Sequence, residues 1–160
     1  MPLIAARPKG YQQENWLLDP QSYWVKRDGY RWEDLGALQD HAGSLWLNGF
    51  SSYNGINDRV PLTQAMTLTS SLKLIHLDNP NIRVFAPGKA FGNAKRRVQA
   101  SFSFDGTDYA LWVTDPIVER QYLAKPDDEY PLRDVYLTIS IGEPYQDYCY
   151  KLVATVITRT

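Results

Sequence analysis

The chain has 160 residues, a formal net charge of −1 and one cysteine, Cys149. A chain of this length buries roughly 70% of its unfolded surface and folds without staples, and a single cysteine excludes an internal disulfide framework and any multi-cysteine zinc site. The near-neutral charge argues against coating nucleic acid by bulk electrostatics and leaves room for a local basic patch. No apolar run approaches the ~20 residues of a membrane-spanning helix, and Met1–Pro8 is too short in its apolar part for a signal peptide. The expectation is a cytoplasmic protein in a reducing compartment.

Residues 1–60 read as irregular and aromatic-rich. Trp16-Leu17-Leu18 is a short apolar patch closed by Asp19-Pro20. Tyr23–Lys26 reads as a short strand ending at Asp28-Gly29. Trp32, Leu35 and Leu38 sit at helical spacing, with Glu33 and Asp34 in the first turn; Gly36 weakens that helix. Leu45-Trp46-Leu47 ends at the turn signal Asn48-Gly49, and Asn54-Gly55 and Asn57-Asp58 continue the loop character.

From residue 62 the pattern sharpens. Leu72–Leu77 is a strand, interrupted at Asp78-Asn79-Pro80, and Ile82–Phe85 resumes extended structure. These are either two halves of one bent strand or a strand pair. Val98, Ala100, Phe102 and Phe104 alternate with polar residues, which is the period of a strand with one buried face. Asp105-Gly106 is a tight hairpin signal, and Tyr109–Val113 is the return strand. Asp115-Pro116 starts a helix, with Asp as N-cap and Pro at the first position. Its apolar face carries either Ile117, Gln121 and Ala124 or Val118, Tyr122 and Lys125, and Pro126 ends it. Val135–Ile141 is a strand stopped by Gly142-Glu143-Pro144, and Tyr148–Ile157 is the last.

Strand, strand, strand, helix, strand, strand is the element order of an OB fold. The expected class is therefore all-β with one helix: an OB-like five-stranded Greek-key barrel over 61–160, behind an irregular N-terminal extension at 1–60. In that fold the face around the second and third strands, framed by loops L12 and L45, takes oligonucleotides or oligosaccharides.

Several segments resemble one family. They are Glu14–Asp19, Leu45–Gly49 with Ser51–Val60, Arg83–Gly88, Ala110–Pro116, and Ile139–Tyr145 with Tyr148–Val153. Together they are similar to the bacterial dual-OB domain family, across most of 11–157. The resemblance implies two tandem OB-like modules and a setting in prokaryotic conflict or phage-defence loci. It brings no catalytic residues. Few residues precede Tyr11, so the first module is expected to be missing, or reduced to a remnant within 1–60, or the gene start mis-set.

The candidate sites follow from the OB reading. Segment 87–97 falls at L12 and carries Lys89, Lys95, Arg96 and Arg97 without an acid, beside Phe91. Cations for phosphates and an aromatic for bases are what single-stranded binding requires. The alternative is a solvated loop whose cations protect an edge strand. Turn 142–148 falls at L45, where Tyr145 and Tyr148 offer stacking faces; Glu143 and Asp147 are expected to pair with Lys95 or Arg96. Trp112 is core if it points inward and a binding residue if it points out.

Other polar groups carry less. His41 and His76 lack the carboxylate spacing that would complete a metal site. Asp40, His41 and Ser44 do not make a triad, since no nucleophile elbow is present. Asp127-Asp128-Glu129 reads as a solvated loop, and Cys149 as an inert buried thiol. The expectation is a non-enzymatic module without cofactor or metal, binding single-stranded nucleic acid. The competing expectation is an adaptor that places its aromatic N-terminal half, Trp16 to Trp46, on a protein partner. Neither expectation involves a membrane.

Overall fold

The computed structural model describes residues 3–4, 12–14, 17–18, 29, 31–41 and 43–159. In chain order the described strands are β1 (Leu3–Ile4), β2 (Leu17–Leu18), β3 (Arg59–Pro61), β4 (Leu72–Leu77), β5 (Asn81–Phe85), β6 (Arg97–Phe104), β7 (Thr107–Val113), β8 (Asp128–Pro131), β9 (Val135–Tyr145) and β10 (Tyr148–Thr158). Helices α1 (Leu62–Ala65) and α2 (Pro116–Leu123) and 3-10 turns at Trp32–Ala37 and Lys89–Phe91 complete them. β1 and β2 pair only with each other among the described residues. Trp16, Trp24 and the strand expected at 23–26 lie outside the described residues.

The main sheet runs β4-β9-β10-β7-β6-β5-β8, with β3 attached to β10. β4 and β5 are joined through Asp78, Asn79 and Pro80 alone, all poor strand formers. β4 pairs with β9 and β5 with β6. They are thus two halves of one bent strand, and the sheet closes on itself through the bend. β7 and β10 are parallel, and α2 connects β7 to the second half of the sheet. This is the five-stranded OB topology, with β8 added on the free edge of β5.

Alternation explains the wall. Val98, Ala100 and Phe102 of β6 share one core with Tyr109, Leu111 and Val113 of β7, together with Ile75, Ile82, Leu137 and Val153. Asp105 and Gly106 turn the β6–β7 hairpin with φ of 48° and 75°, the positive values a type I′ turn needs. The Asp115 carboxylate accepts from the backbone N–H groups of Ile117 and Val118 at 3.0 and 3.2 Å and so caps α2. Val118 and Tyr122 face the core, whereas Ile117 is exposed.

Four local expectations change. Trp32–Ala37 is a 3-10 turn rather than an α-helix; its apolar residues are three apart, the period of that geometry. Gly142-Glu143-Pro144 does not stop β9, which continues to Tyr145 and turns at Gln146-Asp147. Pro144 is tolerated because β4 pairs no further than Ser140 and a bulge lies between Cys149 and Lys151. Asp128 and Glu129 belong to β8, because β5 offers them an unpaired edge. Residues 59–61 form β3 instead of loop.

That last change has the largest consequence. β7 and β10 pair only at Trp112↔Leu152 and Val113↔Val153, then diverge. The chain at 56–61 fills the gap. Ile56 and Ala110 exchange two backbone hydrogen bonds, and Val60 lies opposite Cys149. Part of the N-terminal extension is therefore barrel wall.

Candidate functional site

A groove of about 780 Å³ opens on the outer face of the barrel. Its borders are loop 86–96, which connects β5 to β6, the β9–β10 hairpin, and the segment 52–59. Strand parity builds its floor. Tyr109, Leu111 and Val113 point inward, so Trp112 points out, and by the same rule Arg97 points out from β6; both line the groove. Gln99 on β6 and Phe85 and Arg83 on β5 share that outward side, the last two lining an adjoining cleft.

These outward residues stack on one another. The Arg83 guanidinium lies 4.1 Å from the Phe85 ring centroid. Phe85 stacks on Trp112 at 5.8 Å, and the Arg97 guanidinium covers Trp112 at 3.9 Å. Trp112 is only 8% exposed although it lies outside the barrel core, because this stack covers it. Burial pushes the Arg97 pKa below its ordinary value, and the charge of Glu119 opposes that shift. Arginine stays protonated under such shifts. Half-buried Tyr150 and Leu152 continue the floor on β10. Gly142 admits Leu152 closely: a Cβ there would meet its Cδ1 at 3.0 Å.

The rim is aromatic. Tyr53, Phe91 and Tyr145 are 84%, 75% and 64% exposed, so their faces are open to a ligand. Tyr53 and Phe91 meet edge-on at 6.2 Å, and Tyr145 lies 6.4 Å from Tyr150. Arg59 enters from β3 with its guanidinium 4.1 Å from the Tyr148 ring centroid. Glu143 is the carboxylate among the lining residues.

The wall at 52–59 is held by buried polar groups. The Asp58 carboxylate, 1% exposed, accepts from the Ser52 backbone N–H at 2.7 Å and from the Ser52 hydroxyl. Gln99 donates to the Asn54 carbonyl at 2.6 Å. Lys151 is fully buried, donating to the Leu47 carbonyl at 2.6 Å and to Asn48 Oδ1 at 3.2 Å. Burial lowers its pKa to about 8, partly opposed by the charge of Asp58.

A family model described as a dual OB-containing domain matches residues 1–156. The chain belongs to that family. The comparison with curated proteins returned no match, nor did that with solved structures. The match spans the segment before β4 as well as the barrel. Among the described residues this dual-OB chain forms one OB barrel, and no helix is long and apolar enough to cross a membrane.

The sequence-derived candidates of the dual-OB chain separate. Phe91, Arg97 and Tyr145 come together in the groove. Tyr148 supports Arg59 from below rather than standing at the rim. Lys89 lies in a neighbouring cleft with Arg83 and Phe85. Lys95 is exposed, and its backbone N–H is held by Asn93 Oδ1 at 3.0 Å. Arg96 is committed elsewhere: it donates to the Leu123 carbonyl at 2.8 Å, to the Lys125 carbonyl, and to Asp127 at 2.5 Å. It satisfies the end of α2, and its carboxylate partner is Asp127 in place of the expected Glu143 or Asp147.

Nothing in the sequence joins Tyr53, Arg59, Phe85, Trp112 and Tyr150 as one surface. Parity was the available signal for Phe85 and Trp112; Arg59 had none, because its strand forms only against β10. Among the described residues no three His, Cys, Asp or Glu side chains cluster as metal ligands. His76 bonds Asp134 at 2.7 Å, away from the groove.

Proposed function

We propose that this dual-OB chain is a non-enzymatic binding module whose groove takes single-stranded nucleic acid. The carrying observation is the pair Arg97–Trp112 in the groove, continued by Phe85 and Arg83 into the adjoining cleft. Guanidinium groups meet phosphates, and aromatic faces meet bases whatever their identity. The open rings of Tyr53, Phe91 and Tyr145 extend that platform. A duplex would need a longer basic track than a chain of net charge −1 offers. A role in a prokaryotic conflict or phage-defence locus fits such a module, and a neighbouring nuclease or helicase gene would support it.

Among the described residues the adaptor reading has less to work with. Trp32 packs edge-on against Tyr136 at 5.0 Å, and Trp46 donates its indole N–H to the Ser70 carbonyl at 2.8 Å. Both rings are spent on the barrel itself.

The test is fluorescence anisotropy with labelled single-stranded DNA and RNA across a salt series. Affinity should fall with salt at a slope of about −0.7 per phosphate contacted, and Arg97→Ala should reduce that slope by about 0.7. Arg96→Ala should leave the slope unchanged and lower stability instead. A folded sample that binds no oligonucleotide at low salt would favour the adaptor reading.

A further inference from the structure

We infer that the groove is an end site, taking the phosphate-bearing terminus of a single strand rather than a strand that runs through. This rests on the reading of the groove as a nucleic-acid site.

The first argument is the wall. An open OB face lets a strand track across its second and third strands. Here that face is covered on β6 and β7 one step beyond the floor, while Arg83 on β5 stays exposed. Gln99 points outward yet is 2% exposed, because it lies under Asn54. Ala110 points outward and is 6% exposed, bridged to Ile56. Tyr53, at the crest of this wall, touches Phe91 of the opposite loop at 6.2 Å. A continuous backbone would have to cross that contact to reach the neighbouring cleft of Arg83, Phe85 and Lys89. The groove volume, about 780 Å³, falls in the range of about 300–1,000 Å³ usual for compact ligands.

The second argument is the pair of arginines. Arg59 and Arg97 both line the groove, and each guanidinium lies over a ring, at 4.1 and 3.9 Å from the centroids. Stacking occupies the flat face and leaves the N–H edges for bidentate contacts. Neither takes part in an ion pair among the described residues. A terminal phosphate suits two such guanidinium edges better than a phosphodiester. It carries about −1.5 to −2 charges and three acceptor oxygens, whereas a diester has one charge. Glu143 disfavours phosphate on the β9 side, which leaves that side, with Tyr145, for bases.

The test is competition against a labelled oligonucleotide at fixed low salt. The competitors share one sequence, as DNA and as RNA: linear with a 5′-phosphate, linear with a 3′-phosphate, linear with both ends hydroxyl, and covalently circular. One phosphate-terminated form should compete at least about tenfold better than the hydroxyl form, and the circle should compete least. Arg59→Lys keeps the charge but lacks the fork, so it should lose the phosphate preference while still binding. Its melting temperature checks folding, and Arg97→Lys supplies the same readout if it fails. A circle equal to the hydroxyl-ended strand, or no effect of a terminal phosphate, overturns the end site and leaves the nucleic-acid reading standing. Absence of binding by every oligonucleotide overturns both.

Discussion

Loop 86–96 and segment 52–59 face each other across the groove, and they are held by different means. The loop is tied mostly by its own backbone: Asn93 N–H donates to the Gly88 carbonyl at 2.9 Å, and Gly92 turns the chain with φ of 78°. Its candidate side chains, Lys89, Phe91 and Lys95, are exposed. The opposite wall is tied to the fold by Asp58, Gln99 and Lys151, each nearly or fully buried. The loop can therefore change its ligand contacts at little cost in stability, whereas the wall cannot change without disturbing the barrel.

Glycine substitutions break this comparison most sharply. A Cβ at Gly55 would sit 2.0 Å from Asp58 Oδ2, so the buried carboxylate must leave Ser52. Gly55→Ala should destabilise by roughly 3–5 kcal/mol, the scale for breaking a buried charged contact. Gly92→Ala meets no atom within 4 Å and has only its φ of +78° against it, so it should cost about 1–2 kcal/mol. Urea midpoints of the two variants decide the matter; equal losses would show that the two walls are alike.

Lys151 gives the next effect. Burial lowers its pKa from 10.5 to about 8. Between those values the unfolded chain binds more protons than the folded one, so stability rises with pH. The full shift corresponds to about 3 kcal/mol, gained as pH rises from about 8 toward the unfolded value. Urea unfolding from pH 7.5 to 10 should show this rise in the native chain and lack it in Lys151→Met. A flat difference between the two would mean that the lysine is hydrated.

The smallest stability change belongs to the loop. Phe91 is 75% exposed, so Phe91→Ala should shift stability by no more than about 0.5 kcal/mol. The same change should weaken oligonucleotide binding by roughly 1–3 kcal/mol if a base stacks there. Loss of stability without loss of binding would reverse the roles assigned to the two walls.

The legible parts of the sequence were those where local chemistry and tertiary fold agree. Alternation at 98–113 with Asp105-Gly106, and the Asp115-Pro116 cap, sufficed for the hairpin and α2. The basic run was legible as a run but not in its directions. Arg96 precedes β6 and satisfies the end of α2, while Arg97 opens the strand and turns to the groove. Lys151 gave no sign of burial within an apolar strand, because its acceptors lie more than a hundred residues earlier. β3 was illegible for the same reason: Arg59–Pro61 is extended only because β7 and β10 diverge and leave a place for it.

The central claim is where ligand sits, and amide chemical-shift mapping tests it most directly. A short single-stranded oligonucleotide is titrated into isotopically labelled protein at low salt. Shifts should concentrate at Tyr53, Arg59, Phe91, Arg97, Trp112 and Tyr145, including the Trp112 indole N–H. Shifts confined to residues outside the groove, such as Trp32, His76 and Tyr136, would contradict the account.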